Sequence, residues 1–265
     1  MSVLVVQVVR DGLLFGADRN VTTTVHQPGV VASGQAPRPK VLKWPNHEIV
    51  VGYVGRAMIA DGVHTDEWLY DFIGRNLHTD LQQLAHELKD RLEFDLRGKV
   101  ADAEMVLHLG GFVEDAGQWR PQVWCIRNSE APYRDVKAEF DVSEEIQKYF
   151  SGMTGDQIRA EVEQRVQAWQ PFWFHQGHDL GTFNTFDGVL RDGMRAIVQT
   201  HPDQHHPFPD SLFFLDSLRE WSKHLKMAIL TYGAYFGAFY EPFQQYVGGG
   251  ADVVWAARPQ IPPFQ

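Results

Sequence analysis

The sequence predicts an α+β fold, and three observations predict it. Apolar, β-branched runs joined by turn dipeptides open the chain. Runs with apolar residues at helical spacing follow them. Strand-like runs then return, the last of them near the C-terminus. The order is strands, then helices, then strands. No repeat, low-complexity segment or linker divides the chain, so residues 1–265 read as one domain with a helical insertion around 129–170.

The first run is "MSVLVVQVVRDGLLFGADRN". Val3 to Val9 is β-branched and apolar, which predicts a strand. Asp11 and Gly12 form a hairpin turn signal, and Leu13 to Ala17 reads as the returning strand. "TTTVHQPGVVASGQAPRPK" is rich in Thr, Gly and Pro and predicts a loop. "KVLKW" and "IVVGYVG", on either side of "PNHE", predict a second hairpin.

"MIADGVHTDEWLYDFIGRN" predicts a helix. A second is predicted in "TDLQQLAHELKDRLEFDLR", where Thr79 and Gln82 have capping-box spacing. Leu81, Leu84, Ala85, Leu88 and Leu92 fall on one face of it. "AEMVLHLGGFVED" and "QWRPQVWCIRN" predict two more strands, with Cys125 in a strand core.

"DVSEEIQKYF" predicts a short helix with Ser143 as its N-cap. Thr154 and Gln157 form a second capping-box pattern ahead of Ile158, Val162, Val166 and Trp169. "QPFWFHQGHDLGTFNTF" leads into a helix in "DGVLRDGMRAIVQT", and "HPDQHHPFPDS" reads as a loop. A long helix is predicted from Leu212 to Phe243, apolar on most of its circumference between Met227 and Tyr240. Its aromatic stripe of Tyr232, Tyr235, Phe236, Phe239, Tyr240 and Phe243 reads as core or subunit contact. "VGGGADVVWAARP" predicts a glycine turn and a last strand. No helix follows those glycines to supply N–H donors, which argues against phosphate binding.

Composition narrows the function. The 265 residues are 44% hydrophobic and 22% charged, enough to bury a real core. A net charge of -10 repels a phosphate backbone, so nucleic acid is excluded as the expected partner. Cys125 is the only cysteine, so no intramolecular disulfide forms, which suits a reducing compartment. Arg10 and Asp11 interrupt the N-terminal apolar run, so no signal peptide is expected. "LKMAILTYGAYFGAFYEPF" lies between Lys226 and Glu241 and is short for a membrane span, so a cytoplasmic protein is expected.

Three motifs now carry a resemblance. "VRDGLLFGADRNVTT" resembles the "KDGVVLAADRRAT" signature of proteasome-type β subunits. "PKVLKWPNHEIVVGYVGRA" resembles their next hairpin, a lysine followed by a turn and an "AG" shoulder. "VGGGADVVWAARP" resembles their "SGGGVDVVVI" last strand. They stand in the family's order and cover the first ~75 residues and the chain's last helix and strand. The middle of the chain departs and is longer. The family is the N-terminal nucleophile hydrolases, which include the bacterial Anbu (ancestral β subunit) group. The resemblance implies a four-layer αββα sandwich and a homo-oligomer, ring or spiral. An ATPase partner is not identified by it.

The resemblance also implies a set of residues. Counting back from Asp18 by the family's spacing lands on Ser2, so removal of Met1 is implied. The hydroxyl of Ser2 is then the nucleophile. Its own α-amine, with a reference pKa of about 7.7–8.0, is the base. Lys40 matches the family lysine that favours deprotonation of the amine and hydroxyl, and Asp18 matches the acid that holds the lysine. Gly55 matches the glycine whose N–H faces the oxyanion. Thr22 matches a cleft-lining strand residue, and Tyr53 and Ala57 match positions around the first specificity pocket. A peptide or other amide is the implied substrate, bound as an added strand without a cofactor. Two departures stand out. His178 stands in the place of a family serine, as a hydrogen-bonded residue near the substrate cleft, and Gln244 and Val247 stand where an Asp and a Ser precede the terminal glycines.

Other readings remain open beside this one. Taken singly, Ser2 is an ordinary residue after a start methionine, Asp18 a turn residue and Lys40 a surface lysine. The altered shell fits a proteasome-fold binding or structural subunit without turnover. His175, His178 and Asp179 are ligand types for a metal hydrolase, but they lack a recognised zinc spacing. His201, His205 and His206 lie in the proline-rich loop and read as solvated.

Overall fold

The structure, a computed structural model, describes residues 3–9, 11–27, 30–45, 47–60, 62–76, 80–96, 104–115, 117–129, 136–137, 139–146, 153–154, 157, 160–161, 164, 172–177, 188–190, 192, 217–239 and 249–259.

The first hairpin forms as expected from β1 (Val3–Val9) and β2 (Gly12–Asp18), paired from Val9 opposite Gly12 to Leu4 opposite Ala17. Every residue of both strands is buried. Runs with so little polar alternation suit strands covered on both faces. The expected loop over 22–39 is instead a hairpin of β3 (Asn20–Gln27) and β4 (Val30–Pro37). The Thr and Val content of these strands favours extended backbone and outweighs the loop-like Gly and Pro. β5 (Val41–Lys43) and β6 (Val50–Gly55) make the next hairpin, as expected.

The helix expected over 58–76 is divided. β7 (Met58–Ala60) and β8 (Val63–His64) pair around Gly62, whose φ of +77° lies in the left-handed region and stops a helix there. Helix α1 covers Thr65–Arg75 only. Helix α2 (Leu81–Asp95) buries the five residues expected on its inner face. Its N-cap is Asp80, whose carboxylate accepts from the Gln83 N–H at 2.9 Å; the expected cap Thr79 lies outside the described residues.

β9 (Met105–Asp115) and β10 (Gln118–Arg127) form as expected. The short helix expected with Ser143 as N-cap is instead strand β11 (Asp141–Glu144), with Ser143 opposite Cys125. Pairing to the edge of β10 satisfies its backbone, and the Ser143 hydroxyl donates to Glu145 at 2.8 Å. Within the interval 129–170, the helical positions among the described residues are 157, 160, 161 and 164. Thr154 and Gln157 exchange reciprocal bonds of 2.7 and 3.3 Å, the expected capping box.

β12 (Phe172–Gly177) is a strand in the stretch read as a lead into a helix. The last long helix, α3, runs Leu218–Phe239, and β13 (Ala251–Ala257) closes the fold. On α3, Tyr232 is buried, but Leu230 and Tyr235 are exposed, so its cover is less complete than its apolar sequence suggests. No helix among the described residues is long and apolar enough to cross a membrane.

Two antiparallel sheets organise the core, one in the order β12-β1-β2-β13 and one in the order β11-β10-β9-β6-β5. Leu4, Val6, Leu13 and Phe15 of the first meet Val50, Val106, Val123 and Cys125 of the second. Val3, Val5 and Leu14 point the other way and pack on Leu225, Ala228 and Ile229 of α3. On the far side of the second sheet, Val51, Leu107 and Leu109 cluster with Leu69 and Phe72 of α1 and Leu84 and Leu88 of α2. Each Val, Leu, Ile or Phe among them contributes about 1.5–3 kcal/mol when fully buried.

Candidate functional site

Strand topology brings several chain segments to one edge of the first sheet. Val3 begins β1 and Asp18 ends β2. Gly177, at the end of β12, lies opposite Val3, and Ala251, at the start of β13, lies opposite Asp18. The turn before β13 is fastened there too, because Gly250 O accepts from the Arg19 N–H at 3.0 Å.

Asp18 is the hub of this edge. Its Oδ1 accepts from the Val3 N–H at 2.8 Å. Its Oδ2 accepts from Lys40 Nζ at 2.9 Å and from the Asn20 N–H at 3.1 Å. The Asp18 and Lys40 side chains are only 1% and 2% exposed. Burial pushes the Asp18 carboxyl above, and the Lys40 ammonium below, its ordinary range. Their mutual attraction opposes both shifts, and the two N–H bonds to Asp18 add to that opposition. Desolvation is the larger influence on both groups.

Lys40 is also held through its main chain. Its carbonyl accepts from the Tyr53 N–H at 2.9 Å, and the Tyr53 hydroxyl donates to Pro39 O at 3.3 Å. The Tyr53 ring is buried in the cluster that the second sheet makes with α1 and α2. Burial, reinforced by the nearby Asp66 carboxylate, raises its phenol far above the ordinary value. The ring is therefore a packed, neutral anchor, and its main chain is the part that borders Lys40.

Gly55 ends β6 and is exposed. Its φ is +99°, and a Cβ there would stand 2.0 Å from the Glu104 carbonyl oxygen, so only glycine fits. Ala57, partly exposed, follows it and accepts from the Thr65 N–H at 3.0 Å. Thr22 lies on β3 opposite Gln35, and His175 on β12 opposite Val5; their side chains are outside the description. Ser2, His178, Asp179, Gln244 and Val247 lie outside the described residues, as do His201, His205 and His206. Among the described residues, no cluster of three His, Cys, Asp or Glu could hold a metal ion.

Sequence reasoning missed Arg38, Asp66 and Glu67. Arg38 Nε donates to Asp66 Oδ1 at 2.8 Å, and its Nη2 donates to Glu67 Oε1. Acids in the first turn of a helix are a general preference. "TDE" therefore gave no signal of an arginine 28 residues earlier.

No protein-family model matches the chain, and no curated protein matches it. Among solved structures, the chain is similar to an Anbu mutant from Hyphomicrobium sp. strain MC1. The identity is 13% and the TM-score 0.47, over 97% of this chain and 82% of that one. It is also similar to Anbu (ancestral beta-subunit) from Yersinia bercovieri, at 14% identity and a TM-score of 0.37, over 96% of this chain and 80% of that one. Both likenesses are remote.

Proposed function

We propose that this chain is a proteasome-like N-terminal nucleophile hydrolase that cleaves a peptide or other amide bond through an acyl-enzyme on Ser2. The observation that carries the reading is the buried Asp18–Lys40 pair, tied at 2.8 Å to the N–H of Val3, the residue after Ser2. A structural ion pair had no need to lie at this point of the chain. The stacking of α1 and α2, two sheets and α3 around separate apolar clusters supports the four-layer αββα arrangement that belongs to this reading.

With Met1 removed, the Ser2 hydroxyl adds to the amide carbonyl carbon while its proton passes to the α-amine of the same residue. Lys40 holds positive charge beside the amine and favours its neutral, basic form. In this reading the N–H of Gly55 meets the oxyanion. Collapse breaks the carbon–nitrogen bond, the leaving amine takes the proton, and an ester remains on Ser2. Water, losing its proton to the Ser2 α-amine, then adds to the ester carbonyl, and that proton passes to the Ser2 oxygen as the carboxylic acid leaves. In this reading the protein works as a homo-oligomer, ring or spiral.

The test is intact-protein mass spectrometry with and without a β-lactone probe. The expected result is a chain beginning at Ser2 that gains one probe adduct, with none on Ser2→Ala. A chain that keeps Met1 in every preparation, or that gains no adduct, overturns the proposal in favour of a subunit without turnover.

A further inference from the structure

The geometry points to Arg38 as a positioning residue that locks the segment carrying Lys40 to the first turn of α1. The inference rests on the proposed function, because it assigns the device that sets Lys40 against the Gly55–Ala57 edge.

The connections can be followed atom by atom. Arg38 lies two residues before Lys40, just past the end of β4. Its main-chain N–H donates to Arg19 O at 2.8 Å, beside Asp18. Its guanidinium reaches the other way, with Nε on Asp66 Oδ1 at 2.8 Å and Nη2 on Glu67 Oε1. Asp66 and Glu67 belong to the first turn of α1. The residue before them, Thr65, holds the edge after Gly55 by two bonds. Its N–H donates to Ala57 O at 3.0 Å, and its hydroxyl donates to Arg56 O at 2.7 Å. One short stretch of helix therefore grips both the lysine segment and the glycine edge.

The exposures say which contact matters. The Asp66 side chain is 7% exposed and that of Arg38 22%, whereas the Glu67 side chain is 53% exposed. A pair largely removed from water holds its geometry, and an exposed one is screened and weak. The guanidinium fork adds orientation, because it presents donors in a fixed plane that an ammonium does not. The Lys43–Glu48 pair is more exposed, at 38% and 41%, and ties neither the Lys40 segment nor the Gly55 edge to α1.

The experiment compares Arg38→Gln, Asp66→Asn and Arg38→Lys with the wild type, and uses Lys43→Gln as a control. Two readouts are taken: the pH profile of β-lactone adduct formation on Ser2, and the titration of Lys40 Nζ by NMR of lysine-labelled protein. Asp18 is the charged group facing Lys40, and Tyr53, bonded to the Lys40 main chain, is the group that feels Asp66 and Arg38 as well as Asp18. Arg38→Gln and Asp66→Asn are expected to slow adduct formation roughly tenfold to a hundredfold and to move the Lys40 titration. Arg38→Lys restores the charge without the fork and recovers part of the rate. Lys43→Gln changes neither readout. Wild-type adduct rates and an unmoved Lys40 titration in Arg38→Gln overturn the inference. If the wild type forms no adduct, the proposed function fails, and the Lys40 titration alone decides whether Arg38 positions that segment.

Discussion

Lys40 Nζ lies 2.9 Å from Asp18 Oδ2, and both side chains are almost wholly removed from water. Such a pair cannot be dismantled from one side. The desolvation cost of each ion is offset in part by the other, so removing one leaves a charge without its counterpart.

Asp18→Ala is therefore expected to lower stability by about 3–5 kcal/mol in urea denaturation. Asp18→Asn combined with Lys40→Met is expected to regain most of that loss, since no charge is left buried. On the proposed function, neither variant is expected to form the β-lactone adduct. A single variant as stable as the wild type contradicts the burial described for this pair.

Gly55→Ala meets two obstacles, the +99° φ and a carbonyl oxygen 2.0 Å from where its Cβ would stand. It is expected to lose more than about 1 kcal/mol of stability. A thermal melt unchanged from the wild type would show that the end of β6 relaxes freely.

His108 supplies a pH prediction. It is 1% exposed on β9, opposite Gly52 and Cys125, and neither ring nitrogen has a hydrogen-bond partner among the described residues. Burial pushes its pKa from 6.5 down to about 4, with Glu145 opposing and Arg127 adding to the shift. The unfolded chain thus takes up a proton that the native chain refuses. Its stabilising contribution is complete above pH 6.5 and is lost as pH falls toward 4. The loss amounts to roughly 3 kcal/mol. Urea titrations across this range are expected to show a flatter profile for His108→Leu than for the wild type. Parallel profiles would mean that His108 titrates normally.

Asp80 caps α2 through the Gln83 N–H. Asp80→Ala is expected to lose about 1 kcal/mol, read as a lower melting temperature. An unchanged melt would place the helix start elsewhere.

Much of this arrangement was legible beforehand because its causes are local. The dense β-branched run of β1, the Asp11-Gly12 turn and the five inner residues of α2 follow from period and propensity within a few neighbours. β3 and β4 were misread because Thr serves strands as well as loops, and the composition of 22–39 weighted Gly and Pro instead. β11 was misread because its acidic stretch beside Ser143 resembles a capped helix; the free edge of β10 decided otherwise.

The sequence by itself determined the α+β class, the first hairpin, the inner face of α2, and the resemblance that singled out Asp18, Lys40 and Gly55. Only the tertiary structure decided that Lys40 reaches Asp18 out of water, that the Tyr53 ring is core, and that Arg38 reaches α1. It likewise decided that Glu48 accepts from the Ala257 N–H across a sequence separation of 209 residues. Propensity and period act between neighbours in the chain, so they can be read along it. Desolvation and ion pairing depend on which distant segments share a low-dielectric space, and that space exists only once the sheets have closed on each other.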